Sequence, residues 1–391
     1  MAASVKVTLL AVGQGTCNMI EEYDDAGSLS NLILIDCGGD GIVNQHVKDC
    51  IRIICEAMEK RARASGGAEN DKYLDLLVLS HQDMDHHSII KYILENRIEG
   101  ENYSIGQFYT PDNSCVGRLC DSYVTCVRLI EEIAGSKCVF VDGSAYYERM
   151  VPLENYIYRT NYMGLDCLYA NAVGSNKKNA VSAVIELEVC LGVGNVERFL
   201  FPGDATRETM EAILDVELLE SYWTMCMAAP HHGSIVTCDE KSLNDFLTKM
   251  NVAGMVVSAG KNNTHGHPHR AFMDIAGKKC WGETTAHYCY CNMTSKKIDR
   301  VYGSIYTTKC LYTTFIPNPT VRDQAVQGEY NHYVYTMSSS GMEESLEGIE
   351  RHSGSPYTLT EQPAQENSRS WRAVAMPGMA RHRLPDMAER R

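Results

Sequence analysis

The run His81-Gln82-Asp83-Met84-Asp85-His86 follows the apolar stretch Leu74 to Ser80. The stretch has the length and continuity of a buried strand. Four metal-ligating side chains stand within six residues of its C-terminal end. Alternate residues of an extended segment point the same way, so His81 and Asp83 can face one ion. A turn after Met84 would aim Asp85 and His86 at a second. Imidazole with carboxylate suits Zn²⁺, Mn²⁺ or iron. An acidic turn with Asp85 capping a helix would require neither the two histidines nor the second aspartate.

Eight of the thirteen histidines lie in three clusters, at 81/86/87, 231/232 and 265/267/269. Each cluster follows a strand-like apolar run. In α/β folds the loops that leave one sheet edge converge, so clusters at strand ends can share a site. Phe201-Pro202-Gly203-Asp204-Ala205 ends another such run, and Asp204 could bridge two ions or cap a helix. In Ala229-Pro230-His231-His232-Gly233-Ser234, one histidine can ligate while its neighbour contacts substrate or orients it. The loop from Ser258 to Pro268 holds Asn262, Asn263, His265 and His267, groups suited to an anionic leaving group, although Gly266-His267-Pro268 is also compatible with a plain polar turn.

Around these runs the pattern alternates. Strands are expected at 4–11, 17–23, 31–36, 74–80, 138–141, 166–170, 181–189, 197–202, 225–229, 253–258, 286–292, 303–308 and 311–316. Helices are expected at about 42–63, 87–97, 117–134, 206–214, 240–250 and 269–277. A leading hairpin followed by alternating strands and helices predicts α/β layers with the helices outside. From about residue 338 the large apolar side chains thin out. The stretch 338–391 is expected to be disordered or to dock on a protein partner.

Composition sets limits. The chain has 391 residues, 44% of them hydrophobic, and a formal net charge of −14. That charge argues against broad affinity for nucleic acid, which needs clustered Lys and Arg. It leaves room for a local basic patch from Lys177, Lys178, Lys261 and Arg270. No apolar run is long enough for a membrane span, and Val7 to Val12 reads as a first strand rather than a leader, so a cytoplasmic location is expected. Sixteen cysteines without one Cys-x-x-Cys pair predict reduced core thiols. A structural zinc at Cys280, His287, Cys289 and Cys291 is the rival reading.

Six motifs in order resemble the metallo-β-lactamase superfamily, and more closely the hydrolase domain of ComEC-type competence proteins and their free-standing relatives. They are Val12-Gly13-Gln14-Gly15, Leu34-Ile35-Asp36-Cys37-Gly38, the His81–His86 run, Gly203-Asp204-Ala205, Pro230-His231-His232-Gly233-Ser234 and Asn263 to Pro268. The resemblance implies an αββα sandwich over about residues 1–320, with helices outside two mixed sheets. It assigns His81, Asp83, Asp85, His86, Asp204 and His231 to one or two divalent ions, zinc or manganese. Asp36 would support them. Asp85, His232 and His267 would act on the substrate, a phosphodiester of nucleic acid or of a small nucleotide.

The chain departs from the pattern. The superfamily usually has a further histidine between the first motif and Gly-Asp, and residues 88–203 contain none. Asn179-Ala180-Val181-Ser182 resembles the Asn-rich turn of the ComEC branch there. Thr16 stands where that branch has Asp, and His87 where a smaller residue is usual. The carboxylate-rich set makes Mn²⁺ a rival to Zn²⁺. Hydrolysis of a lactone or thioester, and a non-catalytic metal-binding module, are the alternative functions.

Overall fold

A computed structural model describes residues 2–111, 119–135, 138–141, 157–170, 172, 178–192, 195–215, 222–260, 263–280, 287–294, 301–308, 311–317 and 328–348. Its first six strands are β1 (Ser4–Leu9), β2 (Cys17–Tyr23), β3 (Leu29–Cys37), β4 (Lys72–Val78), β5 (Tyr103–Pro111) and β6 (Cys138–Val141). Then come β7 (Tyr158–Arg159), β8 (Met163–Tyr169), β9 (Val184–Gly192), β10 (Asn195–Phe201), β11 (Thr224–Ala228) and β12 (Val252–Val257). The late strands are β13 (His287–Thr294), β14 (Val301–Thr308), β15 (Leu311–Thr313), β16 (Phe315–Pro317), β17 (Gly328–Ser338) and β18 (Gly341–Gly348).

The first sheet runs β16-β17-β1-β2-β3-β4-β5-β6, with β18 on β17. The second runs β15-β12-β11-β10-β9-β8-β7, and β13 pairs with β14. Both large sheets are mixed in the same way. β1, β2 and β3 form an antiparallel meander, after which β3 to β6 are parallel. In the second sheet β8, β9 and β10 are antiparallel, and β10, β11, β12 and β15 are parallel.

Parallel neighbours need crossover helices. Helices α1 (Gln45–Ala64), α2 (Ser88–Glu95) and α3 (Asp121–Ala134) cross between strands of the first sheet. Helices α4 (Arg207–Leu214), α5 (Ile235–Cys238) and α6 (Glu240–Lys249) cross in the second, and α7 (Arg270–Lys279) follows β12.

The apolar runs are continuous because both faces of these strands are buried. In β3 and β4, Ile33, Ile35, Leu76 and Val78 point inward, where they join Leu165, Ile185, Leu187, Phe199 and Phe201 of the other sheet. The alternate residues Leu32, Leu34 and Leu77 point outward onto Val47, Ile54, Met58, Ile89 and Ile130 of the helices. On the far side Leu200 and Met227 meet Met210, Leu243, Phe246 and Phe272. Three apolar layers between four layers of structure make the αββα sandwich expected from the sequence.

Two parts differ from the sequence expectation. No strand was expected at 103–111, where β5 lies parallel to β4. Its Gly106 interrupts the apolar pattern, and a Cβ there would stand 2.6 Å from the Asp75 carbonyl oxygen. The glycine is a requirement of close strand approach, not a loop signal. The expected tail also begins too early. Residues 333–338 of β17 pair with the whole of β1, and residues 341–348 form β18 on the other side of β17. Pairing with β1 holds β17, and pairing with β17 holds the Glu-rich β18. Residues 349–391 lie outside the described residues. Among the described residues, no helix is long and apolar enough to cross a membrane. The described cysteines are thiols, most of them buried. Cys280 is among them, whereas the side chains of His287, Cys289 and Cys291 lie outside the described residues.

β17 also carries His332, which is buried and accepts a hydrogen bond at Nδ1 from the Ala11 amide (2.9 Å). Burial, with Lys6 and His46 nearby, pushes its pKa from the ordinary 6.5 down to about 4. The unfolded chain therefore takes up this proton first. Stability from this group is full above pH 6.5 and is lost as the pH falls toward 4, by up to about 3 kcal/mol at 1.36 kcal/mol per pKa unit. Denaturant unfolding between pH 7 and 4 should show a smaller loss for His332→Asn than for the parent chain. Equal losses in the two proteins would contradict this role.

Candidate metal centre

The C-terminal ends of β3, β4, β10, β11 and β12 all open on one edge of the sandwich. There the Ala183 amide donates to the Ser80 carbonyl (2.9 Å), tying the two sheets together. His81 directly follows the buried turn after β4, and Met84–His86 form a short 3-10 turn. Asp204 stands two residues beyond Pro202 at the end of β10. His231 and His232 follow β11, and the loop after β12 leads to His267.

Asp204 is the centre of the arrangement. It is 3% exposed. Its Oδ1 lies 3.1 Å from His86 Nε2 and 3.5 Å from His232 Nε2. Its Oδ2 lies 3.3 Å from His231 Nε2 and 3.5 Å from His81 Nε2. Burial alone would push the carboxyl pKa up, but His231, His86, His232 and His81 together hold it well below the usual carboxylate range. His86 shows the reciprocal effect. Burial opposes its charge, and Asp36 and Asp204 outweigh burial and raise its pKa well above the ordinary value.

Each imidazole is held by Nδ1 and presents Nε2. His86 Nδ1 donates to Asp36 Oδ2 (2.8 Å), and His232 Nδ1 donates to the Ser258 carbonyl (3.0 Å). His81 Nδ1 lies 3.1 Å from Ser80 Oγ, and His231 Nδ1 lies 2.7 Å from Thr237 Oγ1. Asp36 in turn accepts from the Ser80 amide (2.7 Å) and hydroxyl (2.8 Å). Three non-glycine residues here occupy the left-handed region: Asp36 at φ 54°, His231 at φ 46° and His232 at φ 52°. Backbone strain of this kind persists where tertiary contacts enforce it, typically at working sites. The peptide between Asp85 and His86 is clamped as well. The Thr16 amide donates to the Asp85 carbonyl (3.0 Å), and a Cβ on Gly38 would stand 2.2 Å from that carbonyl group. Gly38 is thus needed for backbone approach.

Does this set fit a metal? His81 Nε2, His86 Nε2, His232 Nε2 and Asp204 Oδ1 are buried and make no hydrogen bond among the described residues. Unsatisfied buried polar atoms are costly and rare. A tetrahedral ion with bonds of about 2.0–2.1 Å holds its ligand atoms roughly 3.3 Å apart, close to the 3.1–3.5 Å separations from Asp204 seen here. Two groups of three have ligand atoms within 4.8 Å of one another: His81, His86 and Asp204, and Asp85, His86 and His232. The donor set fits a divalent ion, and zinc and manganese both suit it.

The expected residues fall into place unevenly. His81, Asp85, His86 and Asp204 belong to these triads. His232, expected to act on substrate, completes the second triad, with Nε2 3.3 Å from Asp85 Oδ2. His231, expected as a ligand, faces Asp204 but belongs to neither triad. Asp83 is half-buried, and its carbonyl accepts from the His86 amide (3.0 Å) and His87 Nδ1 (2.9 Å). Its carboxylate is in neither triad. His267 packs beside the centre, its ring 5.3 Å from that of His231 and 6.3 Å from that of His232. Burial, with His232 and His231 nearby, pushes its pKa down to about 2, which keeps the ring neutral. Lys177, Lys261 and the side chain of Lys178 lie outside the described residues, and Arg270 faces Asp274 on α7 at 3.7 Å.

Asn179 stands against Asp204 and His231. Its Nδ2 lies 3.3 Å from Asp204 Oδ2 and 3.2 Å from His231 Nε2. The amide donates to the carboxylate, so it neutralises part of the charge an imidazole would otherwise share. His87 supports the motif from behind: its Nε2 lies 3.0 Å from Ser122 Oγ, linking α3 to the Asp83 carbonyl. The sequence signals neither contact, because each partner is tens of residues away.

No family model matches the sequence, and no curated protein does. Solved structures are similar to it at low identity. Unliganded yeast PDE1 is 11% identical over 72% of this chain and 96% of its own, with a TM-score of 0.40. CmlA, a diiron β-hydroxylase from Streptomyces venezuelae, is 12% identical over 71% of this chain and 50% of its own, with a TM-score of 0.37. A diphosphatase of the PhnP family is 12% identical over 68% of this chain and 89% of its own, with a TM-score of 0.33. The sheet order and layering described above define a protein of the metallo-β-lactamase fold, and the buried His/Asp cluster at its open edge is a candidate metal site.

Asp36 tests how the centre is held. Loss of a carboxylate that orients a ligating imidazole typically costs 10–100-fold in metal affinity. Zn²⁺ competition against a chromogenic chelator should show a loss of about that size for Asp36→Asn. Unchanged affinity in the folded variant would show that His86 does not depend on Asp36.

Proposed function

We propose that the chain is a metal-dependent hydrolase of phosphodiesters, acting on nucleic acid or small nucleotides. The observation that carries the reading is the single carboxylate of Asp204 facing the imidazoles of both triads. One or two divalent ions held there by His81, His86, His232, Asp85 and Asp204 would supply a water of lowered pKa and charge for an oxyanion. The chain's own groups set up the rest. Burial opposes charge on Asp85, but His232 and His86 hold its carboxyl below the ordinary range, so it is ready to accept a hydrogen bond from an attacking water. Its side chain is 28% exposed, against 4% for Asp204. The fixed carboxylate is thus Asp204, and the one reachable from solvent is Asp85.

His231 and His267 stand side by side, their ring centroids 5.3 Å apart. Burial and the neighbouring imidazoles lower both of their pKa values. Neutral imidazoles can donate to a phosphoryl or leaving oxygen without charge repulsion from a nearby cation. The net charge of −14 favours small nucleotides over long polyanions, whose binding draws on many Lys and Arg contacts.

Protein reconstituted with Zn²⁺ or Mn²⁺ should hydrolyse bis-p-nitrophenyl phosphate, and Asp85→Ala should lower kcat by about 100-fold or more, measured beside its metal content. Metal-loaded parent protein that is inactive on phosphodiesters, cyclic nucleotides and single-stranded nucleic acid would favour a non-catalytic metal-binding module instead.

A further inference from the structure

His267 is fixed from two sides by residues that touch no candidate ligand of the triads. Asn263 grips its backbone: Oδ1 accepts from the His267 amide (3.0 Å), and Nδ2 donates to the His267 carbonyl (2.5 Å) and to the Gly260 carbonyl (3.0 Å). The ring is met from the other end of the sequence. Gln14 Nε2 lies 3.4 Å from His267 Nδ1, across 253 residues. Gln14 is 8% exposed, so this contact is shielded from water. Its loop is anchored against the β12 end, because Ser258 Oγ donates to the Gly13 carbonyl (3.4 Å).

We propose that Gln14 is a positioning residue that sets the tautomer of His267. Its amide donates to Nδ1, which leaves the single ring proton on Nε2. A neutral imidazole has one donor nitrogen and one acceptor nitrogen, and whichever bond one makes decides the other. His267 is thereby a neutral Nε2–H donor beside His231 and His232. Such a donor is suited to an oxygen that gains negative charge during reaction, and it needs no reorientation when that charge develops. The consequence for rate rests on the hydrolytic reading above, whereas the tautomer does not.

Ring ¹⁵N chemical shifts decide the matter in the Zn²⁺-reconstituted full chain, with the His267 signals assigned by their loss in His267→Gln. The parent protein should show Nδ1 unprotonated and Nε2 protonated. In Gln14→Glu the carboxylate can only accept, so the proton should move to Nδ1. In bis-p-nitrophenyl phosphate hydrolysis that variant should lose about tenfold or more in kcat with KM within about twofold. A parent ring protonated at Nδ1 overturns the inference. So does a folded Gln14→Glu chain that keeps the Nε2 proton or the parental kcat. Should Gln14→Glu not fold, the parental tautomer still decides. Should the parent protein hydrolyse no phosphodiester, the hydrolytic reading fails while the shifts still decide the role of Gln14.

Discussion

A buried carboxylate surrounded by imidazoles is the constraint on which this structure turns. Asp204 lies at the joint of two sheets, with four imidazole nitrogens within 3.1–3.5 Å of its oxygens. An isolated charge at that depth would be severely destabilising, so the surrounding groups must be placed to compensate it. Much of the local architecture follows. Asp36 accepts a strained backbone in order to hold His86 and Ser80. Gly38 lets the chain press against the Asp85–His86 peptide. The left-handed His231-His232 pair aims two neighbouring rings at one carboxylate.

An amide also stands against the central carboxylate. Asn179 donates to Asp204 and approaches His231, so it holds the geometry without adding an ion ligand of imidazole strength. With Asp85 and Asp204 both facing the triads, the centre has a harder donor set than an all-imidazole site. Hard oxygen donors tolerate Mn²⁺ as well as Zn²⁺. Around this centre the candidate substrate-facing imidazoles are held neutral, a property of the enclosing protein more than of any one residue.

Much of this was legible in the sequence because the site residues sit at the ends of apolar runs. His81 to His86, Asp204, His231/His232 and the 263–268 loop each follow a strand, and parallel strands deliver their ends to one edge. That His232 and not His231 falls in a candidate triad was not legible. Adjacent residues differ only in backbone torsion, and no spacing rule reveals that both adopt positive φ. Asn179 and Gln14 were similarly hidden as partners, since their contacts span 25 and 253 residues. β5 and β18 escaped for the opposite reason. Gly106 and Gln107 interrupt the apolar pattern of β5, Glu and Gly dominate β18, and the two strands are held by pairing with β4 and β17.

Three imidazole Nε2 atoms and Asp204 Oδ1, buried and without a hydrogen-bond partner among the described residues, are placed to enclose a divalent ion. Anomalous diffraction at the zinc and manganese edges, from crystals grown without chelator, tests it most directly. A peak is expected, bonded at about 2.0–2.2 Å to His86 Nε2 and Asp204 and to at least one of His81 and His232. An ordered, folded site with no anomalous peak after soaking in either metal, its imidazoles hydrogen-bonded to water instead, would contradict it.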